Sequence, residues 1–244
     1  MSLAGISVVV SGAGTGIGKA VARRALGAGA DVTVVGRRER LLKEHGPDAE
    51  IVVADITTPG TAKRVVAAAV GRFGRLDAVV NNAGLARFGR LDDVGVSDFD
   101  EMFATNVRAP ADLIRCALPE LRANRGSVVN ISSVGGVLAM PGRSLYGASK
   151  SALNSLTRSL ARELAPEVRV NAILPGPVDT PMWTDMGMDE AGTAELRAQL
   201  LAATPMGRFG EADEIARWVC CLIDSELSGW ITGALIPVDG GRTT

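Results

Sequence analysis

The stretch S-L-Y-G-A-S-K, Ser144 to Lys150, holds the only tyrosine of the 244-residue chain, with a lysine four positions after it. On a helix that spacing stacks the phenol and the amine on one face, a turn apart. A free phenol ionises near pH ~10, and poising it near neutrality takes roughly 4 kcal/mol of differential stabilisation. An ammonium about 5 Å away, at an effective dielectric near 20, supplies roughly 3 kcal/mol. Lys150 is therefore expected to acidify Tyr146 and make it a general acid/base. The run S-V-V-N-I at 127–131 ends in Ser132 and Ser133. In an open α/β sheet ligands sit at the carboxyl ends of strands, where a serine hydroxyl can polarise a carbonyl whose oxygen the phenol protonates. A helix cap or turn is the other use of a strand-end Ser-Ser pair.

A second constellation stands near the amino terminus. S-G-A-G-T-G-I-G, Ser11 to Gly18, follows the first β-branched run and precedes K-A-V-A-R-R-A-L. Glycines Gly12, Gly14, Gly16 and Gly18, interleaved with Thr15 and Ile17, suit a tight reversal that brings main-chain N–H groups to a pyrophosphate at a helix N-terminus. The position between strand and helix is what a dinucleotide site requires; an idle tight turn is the alternative. At the end of the second run, V-T-V-V-G-R-R-E-R, no acid is placed for a ribose 2'-OH, whereas Arg37 and Arg38 are placed for a 2'-phosphate. NADP(H) is the expected cofactor, with NAD possible, unless the two arginines only begin a solvated helix.

These residues need a frame. Runs at 6–10, 32–35, 51–53, 78–80, 127–131, 168–174 and 231–238 are short, β-branched and nearly all apolar, as in strands buried on both faces of a parallel sheet. Helical periodicity fills 17–28, 60–73, 98–123, 144–165 and 211–224, with Pro59 and Pro119 near helix ends. The expected fold is one α/β domain over 1–244, a doubly wound, mostly parallel, Rossmann-like sheet. The segment 175–188, continued by a short helix to about 203, carries Met182, Trp183, Met186 and Met188. It is either a substrate cover, near 181–204, or a surface loop whose Met and Trp side chains pack down.

Composition excludes several classes. With 26 basic and 27 acidic residues intermixed, no single-sign field points to nucleic acid or a charged membrane. The first apolar run stops at Ser11, too short for a signal segment or a membrane span, so a cytoplasmic location is expected. Cys116, Cys220 and Cys221 are expected as small buried hydrophobes. The single histidine, His45, cannot build a multi-histidine metal site and is expected as an exposed structural residue; no metal is expected.

Taken in order, Gly12, Gly16, Gly18, N-N-A-G at 81–84, Asn106 in T-N-V, Ser133, Tyr146 with Lys150, N-A-I-L-P-G-P-V-D-T at 171–180 and V-D-G-G at 238–241 resemble the short-chain dehydrogenases/reductases over nearly the whole chain. The resemblance implies hydride transfer between a nicotinamide and a small carbonyl or alcohol, as in a carbonyl or 3-oxoacyl reductase, with an NAD-linked secondary alcohol dehydrogenase as the alternative. It implies Tyr146 as acid/base and Lys150 on the nicotinamide ribose. Ser133, which has the family's spacing of thirteen residues before the tyrosine, would hold the substrate oxygen, and Asn106 a water that relays protons to Lys150. Asp55 would lie at the adenine, Ile56, Asn82, Ala83, Gly84, Pro175 and Gly176 along the cofactor, and Val178 with Thr180 at the carboxamide. Ser11 replaces the usual threonine but keeps the hydroxyl. The family also implies a homo-oligomer, commonly a tetramer. A non-catalytic dinucleotide-binding regulator is disfavoured because Asn106, Ser133, Tyr146 and Lys150 are all present.

Overall fold

A computed structural model describes residues 1–184, 186 and 188–244. Seven strands, β1 (Ser7–Ser11), β2 (Asp31–Gly36), β3 (Glu50–Val53), β4 (Ala78–Asn81), β5 (Ser127–Ile131), β6 (Arg169–Pro175) and β7 (Leu235–Val238), form one sheet in the order β3-β2-β1-β4-β5-β6-β7. Every pairing is parallel. Parallel neighbours require a crossover between them, and the sequence supplies one between each strand and the next. The helices are α1 (Gly16–Gly27), α2 (Glu39–Lys43), α3 (Thr61–Phe73), α4 (Val96–Phe103), α5 (Ala109–Ala123), α6 (Ser144–Leu164), α7 (Glu190–Ala202), α8 (Ala212–Ile223) and α9 (Ser225–Ser228).

Side chains of a strand alternate between faces, and β1 shows the consequence. Val8 and Val10 pack with Val21, Ala22 and Ala25 of α1 and with Ile215, Ala216 and Val219 of α8. Val9 points the other way, into the second core cluster, which also holds Val65 and Ala69 of α3, Leu113 and Ala117 of α5, and Ala161 of α6. Both faces are therefore dry, which is why the strands read as unbroken apolar runs. Polar side chains inside are tied together: Asn81 Nδ2 donates to Asn130 Oδ1 (2.9 Å), and Asn130 Nδ2 to Thr157 Oγ1 (2.9 Å), a chain from β4 through β5 into α6.

Several expectations are corrected. The helix expected over 98–123 is interrupted by a π-helical segment, Ala104–Arg108, between α4 and α5. Pro119 lies inside α5 and does not end it. The last strand starts at Leu235 instead of residue 231, because the buried Asn171 side chain takes up the chain before it, donating to the Ile231 carbonyl and accepting from Ala234 N. Of the cysteines only Cys220 is buried, its thiol pushed up to about 12 by desolvation, while Cys116 and Cys221 are half-buried. No helix among the described residues is long and apolar enough to cross a membrane.

His45 is buried, contrary to the exposed position expected of it. Its Nε2 lies 2.9 Å from the carbonyl of Ala13, in the glycine turn. A carbonyl only accepts, so Nε2 carries the proton and the neutral ring leaves Nδ1 as a buried acceptor with no protein partner among the described residues. Protonating Nδ1 would bury a charge. Desolvation, first, then the nearby Arg23 and Lys19, accordingly hold the ring below its ordinary value of 6.5, against opposing contributions from the Ala13 bond and Glu44. With the folded pKa depressed, the unfolded chain binds the extra proton first, so this group's contribution to stability is complete above about pH 6.5 and falls as pH drops toward the folded value. Denaturant unfolding of the wild-type protein should show stability declining from pH 6.5 to 5. His45→Gln, which keeps a donor for Ala13 but cannot titrate, should flatten that decline; an unchanged slope would contradict this reading.

Candidate active site

The sheet order reverses between β1 and β4, which leave in opposite directions from the centre and open a crevice at their carboxyl ends. A cleft of about 1020 Å³ lies there, lined by the segments that follow β1, β2, β3, β4, β5 and β6.

The turn after β1 is held by its own strand end. Ser11 Oγ accepts from Asn82 N and Ala83 N, each at 3.0 Å, and donates to the Val80 carbonyl at 3.3 Å. The hydroxyl kept at Ser11 thus locks the glycine turn to N-N-A-G. Asn82 Nδ2 also donates to the carbonyls of Ser11 and Gly12 (3.0 and 3.2 Å). Gly12 adopts φ +66°, and a Cβ there would come within 2.9 Å of Ala83 Cα. A Cβ on Gly18 would collide with Asn82 Nδ2 and the Gly12 carbonyl. Gly12, Gly14, Thr15, Gly16 and Ile17 line the cleft, whereas Gly18 serves packing beneath it. No side chain caps the N-terminus of α1, so its first N–H groups face the cleft and are available to an anion.

Arg37 and Arg38 reach the cleft from β2, and Asp55 and Ile56 from β3. Arg37 is highly exposed, its Nη1 4.0 Å from Asp55 Oδ2, while Arg38 Nη2 donates to Thr15 Oγ1 at 3.3 Å. Asp55 is held below its ordinary range first by the hydrogen bond from the Thr57 hydroxyl (2.6 Å), with Thr57 N and Arg37 assisting. Asn82, Ala83 and Gly84 line the middle, and Pro175, Gly176, Val178 and Thr180 the wall beyond β6. Gly176 is obligatory, since a Cβ there would approach Asp239 Cα to 2.7 Å. Glycine turn, helix N-terminus, paired arginines and a cleft spanning the switch point together fit a dinucleotide.

At the far end lie Ser133, Tyr146 and Lys150. Ser132 is turned away, with its hydroxyl donating to the Lys150 carbonyl at 3.3 Å. Ser133 faces the cleft and its Oγ accepts from Gly135 N (3.0 Å), so the cap and the candidate catalytic hydroxyl are one residue. Close packing brings it to the tyrosine: a Cβ at Gly135 would meet the Met140 sulfur, and would lie 3.3 Å from Ser133 Oγ and 3.4 Å from Tyr146 Cε1. Phe88 stands edge-on to the Tyr146 ring, with centroids 5.5 Å apart.

Tyr146 and Lys150 share a face of α6, and Lys150 Nζ is 5.8 Å from the Tyr146 ring centroid. Nζ donates to the Ile131 carbonyl at 3.0 Å, and burial lowers the amine to about 8. The phenol departs from the acidified state expected of it. In the protein itself burial raises its pKa, and the opposing influences are a hydrogen bond with Ser133 and the charge of Arg143, not Lys150. Desolvation of the phenolate outweighs both.

Asn106 lies fully buried in the π segment, behind the cleft instead of in its wall. Its Nδ2 donates to the Leu85 carbonyl (2.8 Å) and to Ser149 Oγ (3.0 Å), and its Oδ1 accepts from Leu85 N (2.9 Å). Ser149 in turn donates to the Tyr146 carbonyl at 2.7 Å. Both amide protons are thereby committed, and the side chain braces the loop after β4 against α6 at the level of Tyr146. Local departures from α-helix of this kind recur at functional sites.

Over the Tyr146 end, Met182, Trp183 and Met186 line the cleft, and Met188 does not. Trp183 Nε1 donates to the Val178 carbonyl (2.8 Å), and its ring stacks on Phe209 at 5.5 Å. Met186 is buried against Ala86, Met102 and Tyr146. Asp185 and Gly187 of this segment lie outside the described residues. Arg143 and Arg242 line the same end. Sequence reasoning passed over both, although the i, i+3 spacing of Arg143 from Tyr146 was a usable signal.

Known proteins resemble this chain in sequence and fold. A family model described as "Enoyl-(Acyl carrier protein) reductase" matches residues 12–243. An uncharacterized oxidoreductase of Thermotoga maritima is 34% identical, with 100% of this chain and 99% of that protein covered. A 3-oxoacyl-(acyl-carrier-protein) reductase of Staphylococcus aureus is 35% identical, with 96% and 97% covered. The crystal structure of a 3-ketoacyl-(acyl-carrier-protein) reductase from Brucella melitensis complexed with NADH superimposes with a TM-score of 0.91 at 32% identity, covering 100% of both chains. The chain is an NAD(P)-dependent oxidoreductase and belongs to the short-chain dehydrogenase/reductase family.

Proposed function

We propose that the protein reduces a ketone with NADPH, or runs the reverse oxidation of a secondary alcohol, as a carbonyl or 3-oxoacyl reductase. The observation that carries this reading is the convergence of Ser133, Tyr146 and Lys150 at one end of a cleft whose other end holds the glycine turn, Arg37 and Arg38. A bound reduced nicotinamide supplies the hydride that reaches the carbonyl carbon. Ser133 donates a hydrogen bond to the carbonyl oxygen, and the Tyr146 hydroxyl delivers the proton that completes the alcohol. The raised phenol pKa keeps that proton in place until the oxygen becomes basic. The phenolate left behind lies beside the Ser133 hydroxyl and the charges of Arg143 and Lys150.

Arg37 and Arg38 would hold the 2'-phosphate of NADP(H). An NAD-linked dehydrogenase is the second reading; it draws support from the long Arg37–Asp55 contact, which leaves a carboxylate near the arginines, and from the NADH-bound Brucella relative. The segment near 181–204 is assigned to covering the substrate, with Met182, Trp183, Met186 and Leu200 on the cleft supporting that role. A cytoplasmic homo-oligomer, a tetramer by family likeness, belongs to the same proposal.

Tyr146→Phe should lower kcat for NADPH-dependent ketone reduction by about 10²- to 10⁴-fold, with NADPH affinity by fluorescence titration little changed; undiminished turnover would overturn the mechanism. Arg37→Asp should lower the kcat/KM ratio of NADPH over NADH by about tenfold or more, the scale of one charge-assisted contact. An unaltered ratio would remove Arg37 from cofactor selection.

A further inference from the structure

Two cations stand at the substrate end: Arg242 has no part in the proposed hydride transfer, and Arg143 none beyond its charge beside the phenol. Arg143 immediately precedes α6, three residues before Tyr146, so it shares the face that carries the phenol. Its guanidinium lies 5.7 Å from the Phe88 centroid, and its charge bears on the Tyr146 phenol. Arg242 enters from the V-D-G-G turn at the other rim, anchored by one bond from Nη1 to the Ala203 carbonyl (2.8 Å). Burial, first, and then the charge of Arg242 lower the Arg143 pKa, so the two guanidinium groups work against each other across this space.

Among the described residues no carboxylate forms an ion pair with either arginine. Among the described residues, the acids along the cleft are Asp55, at the Arg37 end, and the exposed Glu101. The intervening walls are apolar, formed by Phe88, Met140, Met186 and Leu200. A half-buried guanidinium facing a second one across apolar walls is costly by itself, and an oxyanion between them removes the repulsion while giving the planar fork its partner. The distance also limits the ligand. Phe88 stands against both groups, 5.7 Å from the Arg143 guanidinium and 5.5 Å from the Tyr146 ring by centroid, so an oxyanion on Arg143 lies close to a carbonyl on Tyr146.

We propose that Arg143 and Arg242 form a subsite for a compact oxyanion, and that the substrate is a short carbonyl compound carrying a carboxylate or phosphate within a few bonds of the ketone. This rests on the ketone-reductase reading and narrows it, since a thioester is neutral next to its ketone.

The test measures binding apart from turnover. With NADP⁺ bound no ketone can be reduced, so calorimetry can compare 3-oxobutanoate, its methyl ester and hydroxyacetone phosphate on the wild-type protein and on Arg143→Ala, Arg143→Lys and Arg242→Ala. The wild type should bind at least one anion about 10- to 100-fold more tightly than the ester, and which anion it prefers identifies the group. Arg143→Ala should abolish that preference, Arg143→Lys should keep part of it, and NADP⁺ affinity should stay within about threefold, showing that the variants are folded. An ester bound as tightly as both anions, no binding of any of the three, or a preference that survives Arg143→Ala would overturn the subsite. The same compounds are then offered with NADPH: anion preference in binding without oxidation of NADPH by any ketone leaves the subsite standing and brings down the reductase reading instead.

Discussion

A buried ammonium holds this active site together. Lys150 Nζ is withdrawn from water and donates to the main-chain carbonyl of Ile131, the last residue of β5. Removing that partner would leave the ammonium uncompensated, so α6 is fastened to the carboxyl end of β5 at one register. That register sets Tyr146 one turn earlier on the same face, opposite the Ser133 turn that continues β5. From the other side, Ser149 and Asn106 tie the backbone at Tyr146 to the loop after β4. The reacting groups are thus fixed by the end of β5 and by the loop after β4, and not by the helix alone.

The electrostatics of this end differ from those the i, i+4 pair suggests in isolation. An ammonium about 5 Å from a phenol should acidify it if both are partly solvated. Here both are buried, and desolvation acts on each against its charged form: the amine falls to about 8 and the phenol rises. Such a pair stores a proton on the phenol and releases it only when charge develops nearby, which suits an acid that acts late in the transfer. Arg143 contributes to the same balance, so a group binding that arginine would also act on the phenol.

Most of the fold was legible because its determinants are local or periodic. The strands are buried on both faces, so Val8, Val9 and Val10 announce a parallel sheet without reference to their partners. The glycine turn was legible because Gly12 needs a left-handed backbone that few other residues adopt. The break at Ala104–Arg108 was not, since a π-helical segment keeps helical periodicity on both sides and arises from tertiary bonds of Asn106 to Leu85 and Ser149. His45 was misjudged for a related reason: its partner, the Ala13 carbonyl, is a main-chain atom 32 residues away, which no side-chain pattern reveals. The arginines at the substrate end were hidden because Arg143 and Arg242 lie 99 positions apart and meet only through the fold.

Tyr146 is a buried phenol whose ionisation is opposed by desolvation and favoured by the Ser133 hydroxyl and the charge of Arg143. Since Tyr146 is the only tyrosine, a protein labelled with ¹³Cζ-tyrosine gives a single tyrosine resonance, and its pH titration by NMR reads this group alone. In the protein by itself it should titrate above the ordinary phenol value of about 10, because burial raises it, and lower once NADP⁺ is added. A titration at the value of a free phenol, unmoved by NADP⁺, would contradict this.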